Sequence, residues 1–344
     1  MANHRRFIYL ALVLFAAALL YWRSLQGPSA DMVTLAGKTM GTSYSVTIPA
    51  PHASNGLADS IEQRLEELEN IFSTWRDDSE ISRFNASRST DWFSCSRELA
   101  EVVIESIRMH ALTEGAFEIT LGPLIERWGF DEARVTTPPS EVELSTLMRS
   151  VGTENLEARE SPAAIRKRLP DTSLNLSGIA KGYAVDIIAE LLEQQGLDLY
   201  MVEIGGEIRT KAGSGDRPWR IAIAKPQPGK PQAESIVGVG TAAIATSGGY
   251  LNSIELLEKR YIHILEPSTG KPVKSRTASV TVIDNSSTMR ADALATAFMV
   301  IPTDDALRLA DRHDIAAYFI ILGEADQLVQ RPSKAFRLRF DPVQ

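Results

Sequence analysis

The sequence predicts an α+β protein, with a largely antiparallel sheet and packed helices behind an N-terminal membrane anchor or signal helix. Three observations carry this reading. Apolar residues recur at helical spacing through the first half of the chain. After residue 200 they give way to short β-rich runs punctuated by Gly and Pro. Ahead of both, His4, Arg5 and Arg6 precede an uninterrupted apolar run from Phe7 to Trp22.

That run has the charged start and hydrophobic middle of a secretory signal. Arg23 follows it, and Tyr21 and Trp22 suit a membrane interface. No small-x-small cleavage site follows, and no cysteine stands ready to carry a lipid. The expectation is an uncleaved anchor over 1–24, a linker over 25–32, one domain over 33–330 and a C-terminal tail over 331–344. The body then lies on the periplasmic side of the inner membrane.

Within the body, a strand pair is expected at 33–38 and 44–48. Leu57, Ile61, Leu65, Leu68 and Phe72 fall on one helical face, so a helix covers 57–72. A second spans 99–112, capped by Ser96 and ended by Gly115. Residues 131–168 are charged, contain Pro138 and Pro139, and read as loop. A third helix spans 180–195, stopped by Gly196. Strands follow at 200–204, 207–212, 219–224, 235–239, 243–246, 260–265 and 280–283. Helices at 290–300 and 304–313 and a strand at 316–321 complete the pattern.

The chain has 344 residues, 44% of them hydrophobic and 23% charged, enough for one large domain or two moderate ones. A net charge of −8 argues against nucleic-acid binding. A polyanionic ligand would need a metal or a local cationic patch here. The single cysteine, Cys95, excludes an internal disulfide framework and a Cys-rich zinc site.

Several segments carry candidate chemistry. Around Lys181 the chain passes from an extended run through Gly178 into a helix. Small residues at such a start expose N–H groups to an anion, and Lys181 adds a point charge. A solvated lysine near a helix end has the same signature. Asp292 and Thr296 are four residues apart, so on a helix both oxygens face one hard cation, Mg²⁺ or Ca²⁺. The plainer alternative makes Asp292 a helix N-cap. His263 sits among apolar residues on a strand edge, as a general base or as a structural histidine. The glycine turn at 115–124 carries Phe117 and Glu118, and Thr246 to Gly249 reads as a small-residue loop able to sit beside phosphates. No Cys–His or Ser–His–Asp pattern is present. The inventory suits Mg²⁺-assisted work on a phosphate ester of an aromatic ligand.

The ordered set MGTSY at 40–44, ISRFN at 81–85, GAFEITLGPL at 115–124, LSGIAKGY at 176–183, EIGGEI at 203–208, ATSGG at 245–249, HILEP at 263–267 and ADALAT at 291–296 resembles the ApbE family of FAD:protein FMN transferases. The resemblance covers about residues 33–325. It implies an ApbE-like fold and a periplasmic, Mg²⁺-dependent transferase. That enzyme esterifies the FMN of FAD to a threonine or serine of a membrane redox-complex subunit and releases AMP. It implies FAD contacts at Met40, Trp75, Ala116, Phe117, Glu118, Asn175, Lys181 and Leu265. It implies metal ligands at Gly178 and Ala295, through backbone carbonyls, and at Asp292 and Thr296. His263 matches a histidine proposed to assist catalysis. In this chain Glu118, Asn175 and Glu266 stand where the family usually has aspartate. The family's membrane cysteine is also missing, which fits an anchor helix in place of a lipid. Two other functions keep the same site: a FAD pyrophosphatase with water as acceptor, and a flavin-binding module without chemistry.

Overall fold

A computed structural model describes residues 31–130, 135–212, 218–227, 232–249, 253–256, 259–324 and 327–340. The expected anchor lies outside these residues. Among them, no helix is long and apolar enough to cross a membrane.

Eight strands form one sheet in the spatial order Met32–Thr39, Thr42–Pro49, Tyr200–Ile204, Glu207–Lys211, Ala242–Gly248, Thr277–Asp284, Ala316–Leu322 and Leu328–Pro332. Every neighbouring pair is antiparallel. The second strand pairs with one that begins about 150 residues later, with Tyr44 opposite Ile204. The intervening chain supplies most of the helices.

Both faces of the sheet are buried, and the side chains alternate between them. On Ala316–Leu322, Ala317 and Phe319 enter the main core, while Ala316, Tyr318 and Ile320 enter a second one. Burial on both sides explains why this strand reads as a continuous apolar run. The main core lies under the helices Asn55–Phe72, Arg97–Leu112, Ala180–Gln194 and Thr288–Val300. The second lies under the hairpin Trp219–Ala224 with Ala233–Val239.

Helix starts follow local chemistry. Ser54, Ser96 and Ser287 each accept an N–H of the following first turn. Two sequence expectations give way. The 131–168 stretch contains a helix, Glu141–Leu147, and a hairpin, Leu156–Glu160 with Ala163–Lys167. A reciprocal Ser140–Glu143 capping box starts that helix. Residues 331–340, expected as tail, also belong to the fold. Strand Leu328–Pro332 closes the sheet, and Phe336 of helix Lys334–Arg339 packs against Tyr318, ring centroids 4.9 Å apart.

Two helices meet in an antiparallel contact that steps by one turn. Gly178 lies against Thr296, Gly182 against Thr288 and Asp292, and Asp186 against Thr288. A Cβ on Gly182 would sit 2.4 Å from the Thr288 carbonyl oxygen, so only glycine permits this approach. Carboxylates are exchanged across the contact. Asp186 accepts N–H bonds from Thr288 (2.9 Å) and Met289 (3.0 Å), and Asp292 accepts one from Gly182 (3.1 Å). Each helix thus satisfies otherwise orphaned first-turn amides of the other.

A second polar node ties helix Arg97–Leu112 to the 115–121 segment. Glu118 accepts bonds from Thr120 N–H (2.8 Å) and hydroxyl (2.7 Å), and from Thr153 N–H (3.0 Å) and hydroxyl (2.6 Å). His110 Nδ1 lies 3.3 Å from Oε2, the oxygen that takes the Thr153 N–H, and 3.0 Å from the Phe117 carbonyl. Burial would raise the Glu118 carboxyl, but these hydrogen bonds outweigh it and hold the group below its ordinary value. The bond to Glu118 raises His110 against the opposing pull of burial.

Asp186→Ala leaves buried helix amides unpaired and should cost about 2 kcal/mol in chemical denaturation. Asp186→Asn should cost less. An Asp186→Ala protein as stable as wild type would remove Asp186 as the link between the helices. The His110–Glu118 pair has its own pH window. A raised histidine stabilises below its ordinary 6.5 and loses that contribution as pH rises through the folded value. A depressed carboxylate stabilises above its ordinary 4.5 and fades as pH falls through its folded value. The stability gap between wild type and His110→Gln should be widest between those two values and shrink by pH 9. A gap unchanged between pH 5.5 and 9 would contradict the pairing.

Candidate active site

Four of the sequence segments converge where the stepped helix contact meets the sheet. Lys181 is the second residue of helix Ala180–Gln194. Its Nζ lies 3.2 Å from Glu207 Oε1 and 3.9 Å from Asp292 Oδ2. Asp292 lies inside helix Thr288–Val300, not at its cap, and is 2% exposed. Ser287 is the cap residue, which disposes of the plainer alternative. Thr296 stands one turn further along, and its Oγ1 is 3.3 Å from Ser247 Oγ. Ser247 belongs to strand Ala242–Gly248, so the expected loop at 246–249 is largely strand.

Gly178 completes this cluster. A Cβ there would stand 3.0 Å from Thr296 Oγ1, in the space beside the hydroxyl. Ala295 is buried within the same helix as Asp292 and Thr296. Its carbonyl belongs to the helical ladder and has a second lone pair to offer a cation. Asp292 and Thr296 supply a carboxylate and a hydroxyl, to which the Gly178 and Ala295 backbones would add carbonyls. That oxygen-only set, with a glycine keeping the space open, fits Mg²⁺ and disfavours zinc.

Charge is concentrated here. Burial pushes the carboxyls of Asp292 and Glu207 up, and the Lys181 ammonium pulls them back. Burial would lower Lys181, but Asp292 and Glu207 outweigh it and hold the ammonium above its usual range. Two buried acids share one cation, so the cluster has a net negative charge when both are ionised.

The remaining expected residues fall around this centre. Asn175 N–H bonds the Ile119 carbonyl (2.8 Å), joining the 115–121 segment to the Lys181 loop. Its Oδ1 accepts Ser177 N–H. Asn85, from the ISRFN segment, clamps both the N–H and the carbonyl of Leu174 just upstream. Met40 turns with a φ of 48° and donates its N–H to Glu69 (2.8 Å). Trp75 is 62% exposed, an uncovered aromatic in the turn that follows helix Asn55–Phe72.

Phe117 and Leu265 are buried in separate cores, so a ligand would meet their backbone more than their side chains. Glu118 is committed to the His110–threonine node. His110, Glu118 and Glu154 also bring three ligand atoms within 4.8 Å of one another. The threonines already occupy Glu118, and a histidine-containing set suits Mg²⁺ less well than the Asp292 cluster.

His263 is half-buried, at a bend between strands Lys259–Ile262 and Leu265–Glu266. It lies at the break between two strands where the sequence suggested one. Trp128 pins the turn that carries it. Its ring lies 5.2 Å from Tyr261, and its Nε1–H donates to the Gly270 carbonyl (2.8 Å). A cleft of about 390 Å³, lined in part by Ala116, Glu266, Ile301 and Arg312, opens at the end of the Asp292 helix. Its rim at Val300 is one helical turn, about 6 Å, beyond Thr296. Glu207 escaped the sequence reading. Its signal lies in EIGGEI, where a two-glycine turn delivers a carboxylate to a strand start.

Comparisons with known proteins identify the family. Residues 40–319 match the model of the ApbE family. A curated FAD:protein FMN transferase of Vibrio cholerae is 42% identical over 93% of this chain and 96% of its own. The Escherichia coli K12 protein of that name is 34% identical over 89% of this chain and 91% of its own. Among solved structures, the flavin transferase ApbE from Vibrio cholerae superposes with a TM-score of 0.81 at 40% identity, covering 90% of this chain and 99% of that one. The apo flavinyl transferase ApbE of Pseudomonas stutzeri gives 0.79 at 34% identity, covering 90% and 96%. A family match across most of the chain and relatives above 30% identity at nearly full length lead to one conclusion: the chain belongs to the ApbE family.

Proposed function

We propose that the chain is an FAD:protein FMN transferase that uses Mg²⁺ and releases AMP. The observation that carries this reading is the convergence of Lys181, Asp292, Thr296 and Gly178 at one point. Family membership supports it. Asp292, Thr296 and the carbonyls of Gly178 and Ala295 would hold the ion. When bound, Mg²⁺ offsets the negative charge of the pyrophosphate and of the transferring phosphoryl group.

The chain's own residues have separate tasks. Lys181 binds a phosphate oxygen as a point charge. His263 takes the proton from the acceptor hydroxyl. That oxygen bonds to the FMN phosphorus, the bond from this phosphorus to the bridging pyrophosphate oxygen breaks, and AMP leaves with that oxygen. The buried Asp292 helix keeps its oxygens at fixed positions, which favours charge stabilisation over reorganisation. The acceptor is a threonine or serine of a membrane redox-complex subunit. Tethering through residues 1–24, with the body in the periplasm, is supported by Arg5 and Arg6 before the apolar run.

The test incubates the full chain with FAD, Mg²⁺ and an acceptor protein carrying a flavinylation threonine, then reads in-gel flavin fluorescence. The acceptor band should appear, vanish with EDTA and be absent for Asp292→Ala. His263→Ala should slow single-turnover transfer by roughly 10²-fold or more. AMP release without a fluorescent acceptor would overturn the transferase in favour of hydrolysis. Intact FAD with neither product would favour a flavin-binding module.

A further inference from the structure

We infer that Glu207 is a positioning residue that fixes the Lys181 ammonium for its phosphate. The inference rests on the reading of Lys181 given above.

Glu207 begins strand Glu207–Lys211, directly after Gly205 and Gly206, both at positive φ. It is 3% exposed, too covered to meet a substrate. Oε1 contacts Lys181 at 3.2 Å, while Oε2 is buried with no hydrogen-bond partner among the described residues. A carboxylate kept for structure alone would have both oxygens bonded, because a buried orphan is costly. The arrangement instead directs this carboxylate at one ammonium.

Lysine needs such a guide. Its stem is flexible, and its charge has no fixed direction. A Cβ on Gly205 would lie 3.4 Å from Lys181 Cδ, so the same turn that delivers Glu207 also lines the stem. Asp292 cannot do the work alone. It lies further from Nζ, at 3.9 Å, and already accepts Gly182 N–H. In the proposed site it also faces the cation. Glu207 is then the group left to hold Lys181.

The test is a double-mutant cycle on the full chain: wild type, Glu207→Gln, Lys181→Met and the double variant. FAD dissociation constants in Mg²⁺ are read from flavin fluorescence and thermal midpoints are taken in parallel. Each single variant should weaken FAD binding about tenfold, as for one lost interaction with a charged group. The double should bind no more weakly than Lys181→Met. Glu207→Asp, which keeps the charge, should recover part of the affinity. Wild-type affinity in Glu207→Gln, or losses that multiply in the double variant, would overturn the inference. So would a lower thermal midpoint with FAD affinity unchanged. If Lys181→Met itself binds FAD normally, the reading of Lys181 as phosphate ligand fails first.

Discussion

Everything at the site depends on the close antiparallel contact between residues 178–186 and 288–296. Three contacts at one-turn intervals bring Gly178 to Thr296, Gly182 to Asp292 and Asp186 to Thr288. A larger residue at Gly182 would separate the helices, because the Thr288 carbonyl occupies the place of its side chain. The carboxylate exchange then fixes the rotation of each helix. Asp292 serves twice, as a partner for a helix amide and as the acid at the centre of the site. Stability and function therefore share one set of atoms.

The electrostatics follow from this packing. The protein is acidic overall, at −8, and the cluster holds two buried carboxylates against one lysine. With both carboxylates ionised, such a place repels a pyrophosphate unless a divalent cation comes with it. The oxygen-only donor set makes that cation Mg²⁺ in the proposed function. Glu207 and Asp292 then divide the labour, one acid holding the lysine and the other facing the ion.

Periodic features were legible in the sequence. The apolar stripe at 57–72 and the Ser96 cap both stand in the structure, as do strands Tyr200–Ile204 and Trp219–Ala224. The four-residue spacing of Asp292 and Thr296 placed both on one helix, and the passage through Gly178 put Lys181 at a helix start. Short elements were missed because charge and proline hid them. The S-x-x-E pattern at Ser140 was the available sign of helix Glu141–Leu147. Helix Lys334–Arg339 was read as tail and strand Leu328–Pro332 went unread, because their few apolar residues make sense only against Tyr318 and its neighbours. Non-local facts were out of reach. No pattern announces that Thr42–Pro49 pairs with Tyr200–Ile204, or that Glu118 is committed to Thr120 and Thr153. Glu207 looked like an ordinary charged strand residue until the sheet put it beside Lys181.

Whether Asp292 and Thr296 hold a cation is settled by anomalous diffraction from crystals soaked in Mn²⁺, a stand-in for Mg²⁺ with the same preference for oxygen. An anomalous peak is expected among Asp292, Thr296 and the Gly178 carbonyl. A peak at His110, Glu118 and Glu154 with nothing at Asp292 would contradict it, and so would a helix contact with no ion bound at any soaking concentration.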